Sequence, residues 1–187
     1  MNFLLQPQQH LAFLGDERLG QAPNLILERI ERRYYPVHGL NHAQPGLTLA
    51  QALEQPVIAA DMVLLAVGMH DGLRAMPLAE FSAAYRQLLL SYGTRAIVSE
   101  PCALEPADIA QLEPYLQAVH QLAAQMGLRL VQFQRALNRV LTCTNPSDWG
   151  TGYNLNRFGS AVISEEFLGA VGFEVFEDDD EFPEEAA

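Results

Sequence analysis

The sequence predicts an α/β protein with a three-layer architecture, in which helices cover both faces of a parallel sheet. Short, buried-type apolar runs alternate along the chain with longer helical segments, a pattern typical of parallel strands joined by helical crossovers. The 187 residues, 49% hydrophobic and 18% charged, suit a single globular domain. We therefore expect five parallel strands in the order 2-1-3-4-5, as in the flavodoxin-like fold.

Five apolar segments are predicted to form the strands, because each is short, hydrophobic and bounded by polar or glycine residues. They are His10–Gly15, Tyr34–Val37, Met62–Val67, Arg95–Ser99 and Arg129–Phe133.

Five longer segments are predicted to form the helices between and after these strands. Pro106 and Gly127 mark the start and the end of the longest one, as these residues commonly do. The predicted helices are Asn24–Arg33, Thr48–Glu54, Leu78–Tyr92, Pro106–Met126 and Gly159–Val171.

The charged residues exclude several functions. All eleven basic residues are arginines, so a lysine Schiff base and a lysine-containing P-loop are both impossible. The net charge of −12 does not suit a protein that binds nucleic acid, since phosphate neutralisation needs a basic surface. The longest apolar run, Met62–Val67, is far shorter than the roughly 20 residues of a membrane span.

Two features of the sequence concern location and domain boundaries. Cys102 and Cys143 are too few for a disulfide framework, and the N-terminus lacks the pattern of a secretory signal, so we expect a cytoplasmic protein. We assign residues 1–172 to one domain and residues 173–187 to an acidic, flexible tail. The tail either keeps the protein soluble or uses Phe173, Phe176 and Phe182 to dock on a basic partner protein.

The functional site is predicted at the carboxyl ends of the first and third strands, where ligands bind in a doubly wound sheet. The loops after these strands contain Asp16 and Glu17, and His70 and Asp71. We therefore expect these four side chains to converge on one crevice, with no cofactor and no metal.

Four short motifs in this order resemble the GDSL/SGNH hydrolase family over nearly the whole chain except the acidic tail. They are LAFLGDE at the first strand, QPGLT around Gly46, LLAVGMHDG around His70, and TGYNLNRFG from Thr151 to Gly159. The resemblance implies an esterase-type fold, with the Gly46 amide contributing to the oxyanion hole.

The resemblance also implies that the catalytic residues have changed. The nucleophilic serine of the family falls on Glu17, its aspartate on Thr151, its histidine on Asn154 and its oxyanion-hole asparagine on His70. Neither Thr151 nor Asn154 can act as a base or orient one. The crevice is thus expected to contain Asp16, Glu17, Gly46, His70, Asp71, Thr151 and Asn154.

These changes predict that the Glu17 carboxylate fills the anion hole and contacts both the Gly46 amide and His70. The leading hypothesis is a pseudoenzyme that binds a small acylated or glycan-like ligand, or a partner protein, through the crevice. The alternatives are a hydrolase of ester or acyl-type substrates that uses Glu17 and His70 as acid and base, and a structural component that docks through its acidic tail.

Several residues also have a purely structural interpretation. Asp16 is expected to cap backbone amides, and Asp71 to hold the turn after the third strand. His38 and His42 are spaced like metal ligands on a helix, but the intervening Gly39 favours an irregular loop. Trp149 and Tyr153 either line a ligand pocket or fill the vacated site.

Overall fold

The central sheet contains five parallel strands in the order β2-β1-β3-β4-β5. The computed structural model describes residues 5–173, and neighbouring strands of this sheet all run parallel. The strands are β1 His10–Gly15, β2 His38–Asn41, β3 Met62–Ala66, β4 Ala96–Ser99 and β5 Arg129–Val131. The predicted sheet and its strand order are therefore confirmed.

The second strand is not where the sequence predicts it. The apolar segment Tyr34–Val37 precedes β2, and the ring of Tyr34 packs against that of Phe173, with 4.7 Å between the ring centroids. The strand itself, HGLN, is mostly exposed and pairs with β1 through its backbone. The prediction of a strand at Tyr34–Val37 was therefore wrong. It relied on apolar residues, whereas β2 lies at the edge of the sheet and forms without them.

Helices cover both faces of the sheet. Within residues 5–173 they are α1 Ala22–Arg33, α2 Leu49–Glu54, α3 Met69–Leu73, α4 Leu78–Tyr92, α5 Pro106–Met126, α6 Phe133–Leu141 and α7 Arg157–Ala170. The predicted bounds of α4 and α5 are confirmed, whereas α3 and α6 were not predicted.

Alternating side chains of β1 show how the two layers of helices are held. Leu11 and Phe13 pack into an apolar cluster with residues of α1, α6 and α7. Ala12 and Leu14 enter a second cluster with residues of α2, α4 and α5. All four are completely buried, so each face of the strand anchors one layer of helices.

None of the helices in residues 5–173 is both long enough and apolar enough to cross a membrane.

Phe173, the first residue of the predicted tail, is 3% exposed. The acidic segment 174–187, with Phe176 and Phe182, lies outside the described residues.

Gly68 connects β3 to α3 and sets the direction in which α3 leaves the sheet. Its φ is +102°, in the region that favours glycine. A Cβ atom at this position would lie 2.9 Å from Cε2 of Phe81, so both the backbone and the packing require glycine.

Replacing Gly68 by alanine should lower the free energy of unfolding by about 2–4 kcal/mol, because positive-φ strain and overpacking add. Gly127→Ala is the matched control, since φ is +63° and a Cβ there meets nothing within 4 Å. Its cost should be about 1–2 kcal/mol. Urea denaturation measures both values, and equal losses would contradict the packing part of this prediction.

Candidate functional site

β1 ends at Gly15 and leads into a single turn of 3-10 helix, Glu17–Leu19. Asp16 caps this turn: its Oδ1 accepts a hydrogen bond from the Arg18 backbone N–H at 2.9 Å, which confirms the expected capping role. Glu17 is the first residue of this turn and lies before the long helix that follows β1. That helix, α1, begins only at Ala22.

The Glu17 carboxylate joins the three segments that follow β1, β2 and β3. Its Oε2 accepts a hydrogen bond from the Gly46 backbone N–H at 2.7 Å. His70 Nε2 lies 3.0 Å from Oε1 and 3.1 Å from Oε2 of the same carboxylate. Since an ionised carboxylate can only accept, His70 Nε2 is the donor. The contact between Glu17 and His70 predicted from the sequence is therefore present.

His70 and Asp71 both lie on α3, the short helix that follows Gly68. Asp71 does not point to the Glu17–His70 pair. Its Oδ2 accepts a hydrogen bond from the Leu49 backbone N–H at 3.0 Å, at the first residue of α2. Asp71 therefore ties α3 to α2, which is a structural role.

The carboxyl groups of Asp16, Glu17 and Asp71 differ in pKa. Partial burial acts to raise the pKa of Glu17, but the hydrogen bonds from Gly46 and from its own backbone N–H, together with His70, lower it overall. Burial raises the pKa of Asp16 to about 7, despite the hydrogen bond from the Arg18 amide. Burial also raises the pKa of Asp71, and the hydrogen bond from Leu49 opposes this shift. Glu17 is consequently the most acidic of the three relative to its ordinary value.

A small hairpin covers this edge of the sheet. It consists of β6 Gly150–Thr151 and β7 Asn154–Leu155, and Tyr153 lies in its turn. The Tyr153 ring meets the His70 ring edge-on, with 5.5 Å between centroids, and lies 5.4 Å from Arg18 Cζ. The Tyr153 ring therefore lines the site beside His70 and Arg18 and is 38% exposed.

Thr151 and Asn154 are opposite each other in this hairpin, and both are exposed. Within residues 5–173, no hydrogen bond joins either of them to Glu17 or His70. The structure thus brings Glu17, Gly46 and His70 into direct contact, while these two residues contribute through the backbone of the hairpin that carries Tyr153.

Other residues singled out in the sequence lie away from the Glu17–His70 pair. His38 is on β2, so the expected irregular loop around Gly39 is wrong, and its Nε2 lies 3.1 Å from Gln8 Oε1. Cys143 is exposed and unpaired. Trp149 Nε1 donates to Thr144 Oγ1 at 2.6 Å. Residues 5–173 contain no group of three His, Cys, Asp or Glu side chains arranged to hold a metal ion.

A comparison with solved structures identifies proteins with the same architecture. A variant of an acetyl xylan esterase from Geobacillus stearothermophilus superposes with a TM-score of 0.83 and 20% identity, over 92% of this chain and 98% of the esterase. An alpha/beta hydrolase from the metagenome of Lake Arreo gives 0.84 and 19%, over 91% and 98%. This chain has the SGNH-hydrolase fold.

Sequence comparisons give no further match. A scan against protein-family models finds none, and a search of curated proteins finds none either. At about 20% identity the structural likeness extends to the SGNH fold alone, so the chemistry of the site has to be inferred from its own residues.

Asp16 should make the SGNH-fold domain less stable as the pH rises. Because its pKa is raised from 3.8 to about 7 on folding, the folded state binds the proton more tightly than the unfolded state. The stabilisation is complete below pH 4 and is lost as the pH approaches and passes 7. Asp16→Asn keeps an acceptor oxygen without the charge, so its melting temperature relative to wild type should rise between pH 5 and 8.

Thermal denaturation at several pH values measures this effect. Some slope should persist in the variant, because the pKa of Asp71 is shifted in the same direction. The pKa of Glu17 is lowered on folding, so its ionised form stabilises the folded state. This stabilisation is lost only when the pH becomes acidic. Parallel pH profiles for Asp16→Asn and wild type would contradict the prediction.

Glu17 and His70 should be energetically coupled. Each side chain is only 11% exposed, so a double-mutant cycle with Glu17→Ala and His70→Ala should give a coupling free energy of about 1–3 kcal/mol. The exposed pair His10–Asp61, with 3.6 Å between Nδ1 and Oδ2 and half-exposed side chains, is the control and should give less than about 0.5 kcal/mol. Similar values for the two pairs would show that burial adds nothing.

Proposed function

We propose that this SGNH-fold protein does not hydrolyse esters and uses its crevice to bind a ligand or a partner protein. The observation that carries this proposal is the Glu17 carboxylate, which accepts from the Gly46 N–H at 2.7 Å and from His70 Nε2 at 3.0 Å. By the family resemblance, Gly46 is the oxyanion-hole glycine. The carboxylate therefore takes the hydrogen bond that a reaction intermediate would need.

The proposal is also supported by the chemistry of the replaced residues. Among the solved structures of the Geobacillus esterase are catalytic mutants in which a serine, an aspartate or a histidine is changed to alanine. The family motifs place these three residue types at Glu17, Thr151 and Asn154. A glutamate nucleophile would have to form a mixed anhydride, which lies uphill from an ordinary ester, and neither partner position offers an imidazole.

The proposed ligand is a small acylated or glycan-like molecule. Two exposed aromatic side chains near the hairpin support this class: Tyr153 is 38% exposed and Phe158 65%. Aromatic rings present an apolar face together with, for tyrosine, a polar hydroxyl, which suits a ligand with both kinds of surface. The acetyl xylan esterase with the same fold is a second reason to begin with acetylated glycans.

Hydrolysis assays test the absence of esterase activity. Wild type and Glu17→Ala, incubated with p-nitrophenyl acetate and with an acetyl thioester, should both give the rate of buffer alone. Ester turnover by wild type that disappears in Glu17→Ala would refute the proposal. A triple variant, Glu17→Ser with Thr151→Asp and Asn154→His, is expected to exceed that background rate.

Binding is tested separately by calorimetry with acetylated and deacetylated xylo-oligosaccharides. We expect the acetylated oligosaccharide to release heat on binding to wild type. Tyr153→Ala should bind it more weakly, because the aromatic ring would no longer contact the ligand. Leu90→Ala is the control, since Leu90 is an exposed apolar residue, 66% accessible, on α4. If neither oligosaccharide binds, acetylated glycans are excluded as the ligand, and a partner protein becomes the proposed binding partner.

A second candidate function is acid–base catalysis by Glu17 and His70. The observation in its favour is the spread of carboxyl pKa values at one edge, lowered for Glu17 and raised to about 7 for Asp16, as enzymes often arrange. A pH–rate profile with two titrations, one abolished in Glu17→Gln and the other in His70→Gln, would favour this function over the first.

A further inference from the structure

A buried guanidinium that has no counter-ion among residues 5–173 lies beside the Glu17–His70 pair. Arg18 is 3% exposed, and its Nη1 and Nη2 have no hydrogen-bond partner in the described part of the chain. Its Nε donates to Met69 Sδ at 3.2 Å, and a thioether is a weak acceptor. Buried charges in proteins are normally paired and hydrogen-bonded, so we expect Nη1 and Nη2 to bind an acceptor that carries negative charge.

The acidic side chains near Arg18 are already engaged elsewhere. The Glu17 oxygens face Gly46 and His70, and Asp16 Oδ1 accepts from the backbone amide of Arg18 rather than from its guanidinium. Glu100 accepts from the Arg135 N–H at 3.0 Å through Oε1 and contacts His120 through Oε2. Within residues 5–173, none of these carboxyl groups forms an ion pair with Arg18.

Arg18 lines a small cavity at the carboxyl ends of β1, β3 and β4. The space open to the centre of a water molecule is about 10 Å³, which is room for one water or one compact ion and too little for an organic substrate. Residues from the loops after all three strands surround it, together with one aromatic side chain. They include Asp16, Val67, Ser99, Glu100, Cys102 and Phe133.

Tyr153 offsets part of the cost of burying the charge, but it cannot satisfy the donors. The 5.4 Å between Arg18 Cζ and the ring centroid allows a cation–π interaction. A ring face provides no strong acceptor for the N–H groups of Nη1 and Nη2. A water molecule in the cavity would accept from these nitrogens and still leave the positive charge without a counter-charge.

We propose that Arg18 and this cavity bind one small monovalent anion, of the size of chloride or formate, through Nη1 and Nη2. Such an anion supplies both the missing acceptors and the missing negative charge. The cavity adjoins the ligand site of the proposed function, since Tyr153 contacts both Arg18 and His70, but its existence does not depend on whether the protein hydrolyses esters.

The titratable groups around Arg18 are Asp16, Cys102 and Glu100 in the cavity, Tyr153 on the hairpin and the neighbouring Glu17–His70 pair. Burial raises the pKa of Asp16 to about 7 and that of the Cys102 thiol to about 12, so below neutrality both are largely uncharged. Glu100 is held by the hydrogen bonds described above, and the Tyr153 hydroxyl lies on the hairpin. Since Asp16 gains a negative charge as the pH rises through 7, the anion should bind more tightly at pH 6 than at pH 8.

Anion-dependent stability tests the proposal on the full chain. At pH 6 and constant ionic strength, sodium chloride or sodium formate should raise the melting temperature relative to sodium gluconate, whose anion is too large for the cavity. At nine times the dissociation constant, the unfolding equilibrium constant should fall about tenfold. The chloride and formate arms distinguish a spherical from a planar anion.

Arg18→Met should abolish the difference between the anions, whereas Arg86→Met, which alters an exposed arginine on α4, should preserve it. If Arg18→Met does not fold, chloride-35 NMR of wild type provides the same test: the line should broaden at pH 6, and formate should reverse the broadening by competition. The proposal would be overturned if chloride, formate and gluconate changed the melting temperature equally, or if the chloride line did not broaden. In either case the cavity would hold water and no anion.

Discussion

The edge of the sheet that carries the site is organised by one carboxylate shared between an amide and an imidazole. Glu17, Gly46 and His70 follow β1, β2 and β3, and the hydrogen bonds between them span 29 and 53 residues of sequence. Each contact closes a long loop, so the carboxylate fixes the relative positions of three segments that the sheet alone would leave free at their ends. Tyr153 packs on the His70 ring that the carboxylate holds, and the Arg18 guanidinium lies against the Tyr153 ring in turn.

The surroundings of each acid, more than its chemical type, determine its role in this region. Glu17 is partly open to solvent and receives several donors, and its pKa is lowered. Asp16 is its immediate neighbour in sequence, yet burial dominates there and its pKa is raised to about 7. Asp71 receives one amide from α2, which does not outweigh burial. Three acids at one edge of the sheet therefore divide into one that accepts charge-assisted hydrogen bonds and two that mainly organise the backbone.

The sequence allowed the sheet order and the Glu17–His70 contact to be predicted for a simple reason. Parallel strands bring their carboxyl ends to one edge, and the resemblance to SGNH hydrolases assigns the positions of Glu17 and His70 to the anion hole at that edge. The bounds of α4 and α5 were predictable because proline and glycine mark several of their ends. The edge strand β2 could not be predicted, because its sequence has no hydrophobic pattern and only its backbone pairing with β1 defines it.

The side chains that cover the site could not be placed in advance. Arg18 is buried because its 3-10 turn points it inward, and a three-residue turn has no sequence periodicity from which that direction can be inferred. Tyr153 reaches His70 from a hairpin 83 positions further along the chain, a distance that no local pattern spans. The short helix α3 depends on the positive φ of Gly68, which a glycine permits without requiring.

The hydrogen bond from Gly46 to Glu17 has a consequence for evolution as well as for chemistry. Hydrolases of this kind keep an amide in reserve between turnovers, and such preorganised but unsatisfied groups reduce the stability of the resting fold. In the proposed function the Glu17 carboxylate accepts from this amide at 2.7 Å, so the resting fold has no unsatisfied donor at this position. The free energy gained in this way would let the scaffold tolerate otherwise destabilising substitutions, and it would oppose a return to an open, reactive pocket.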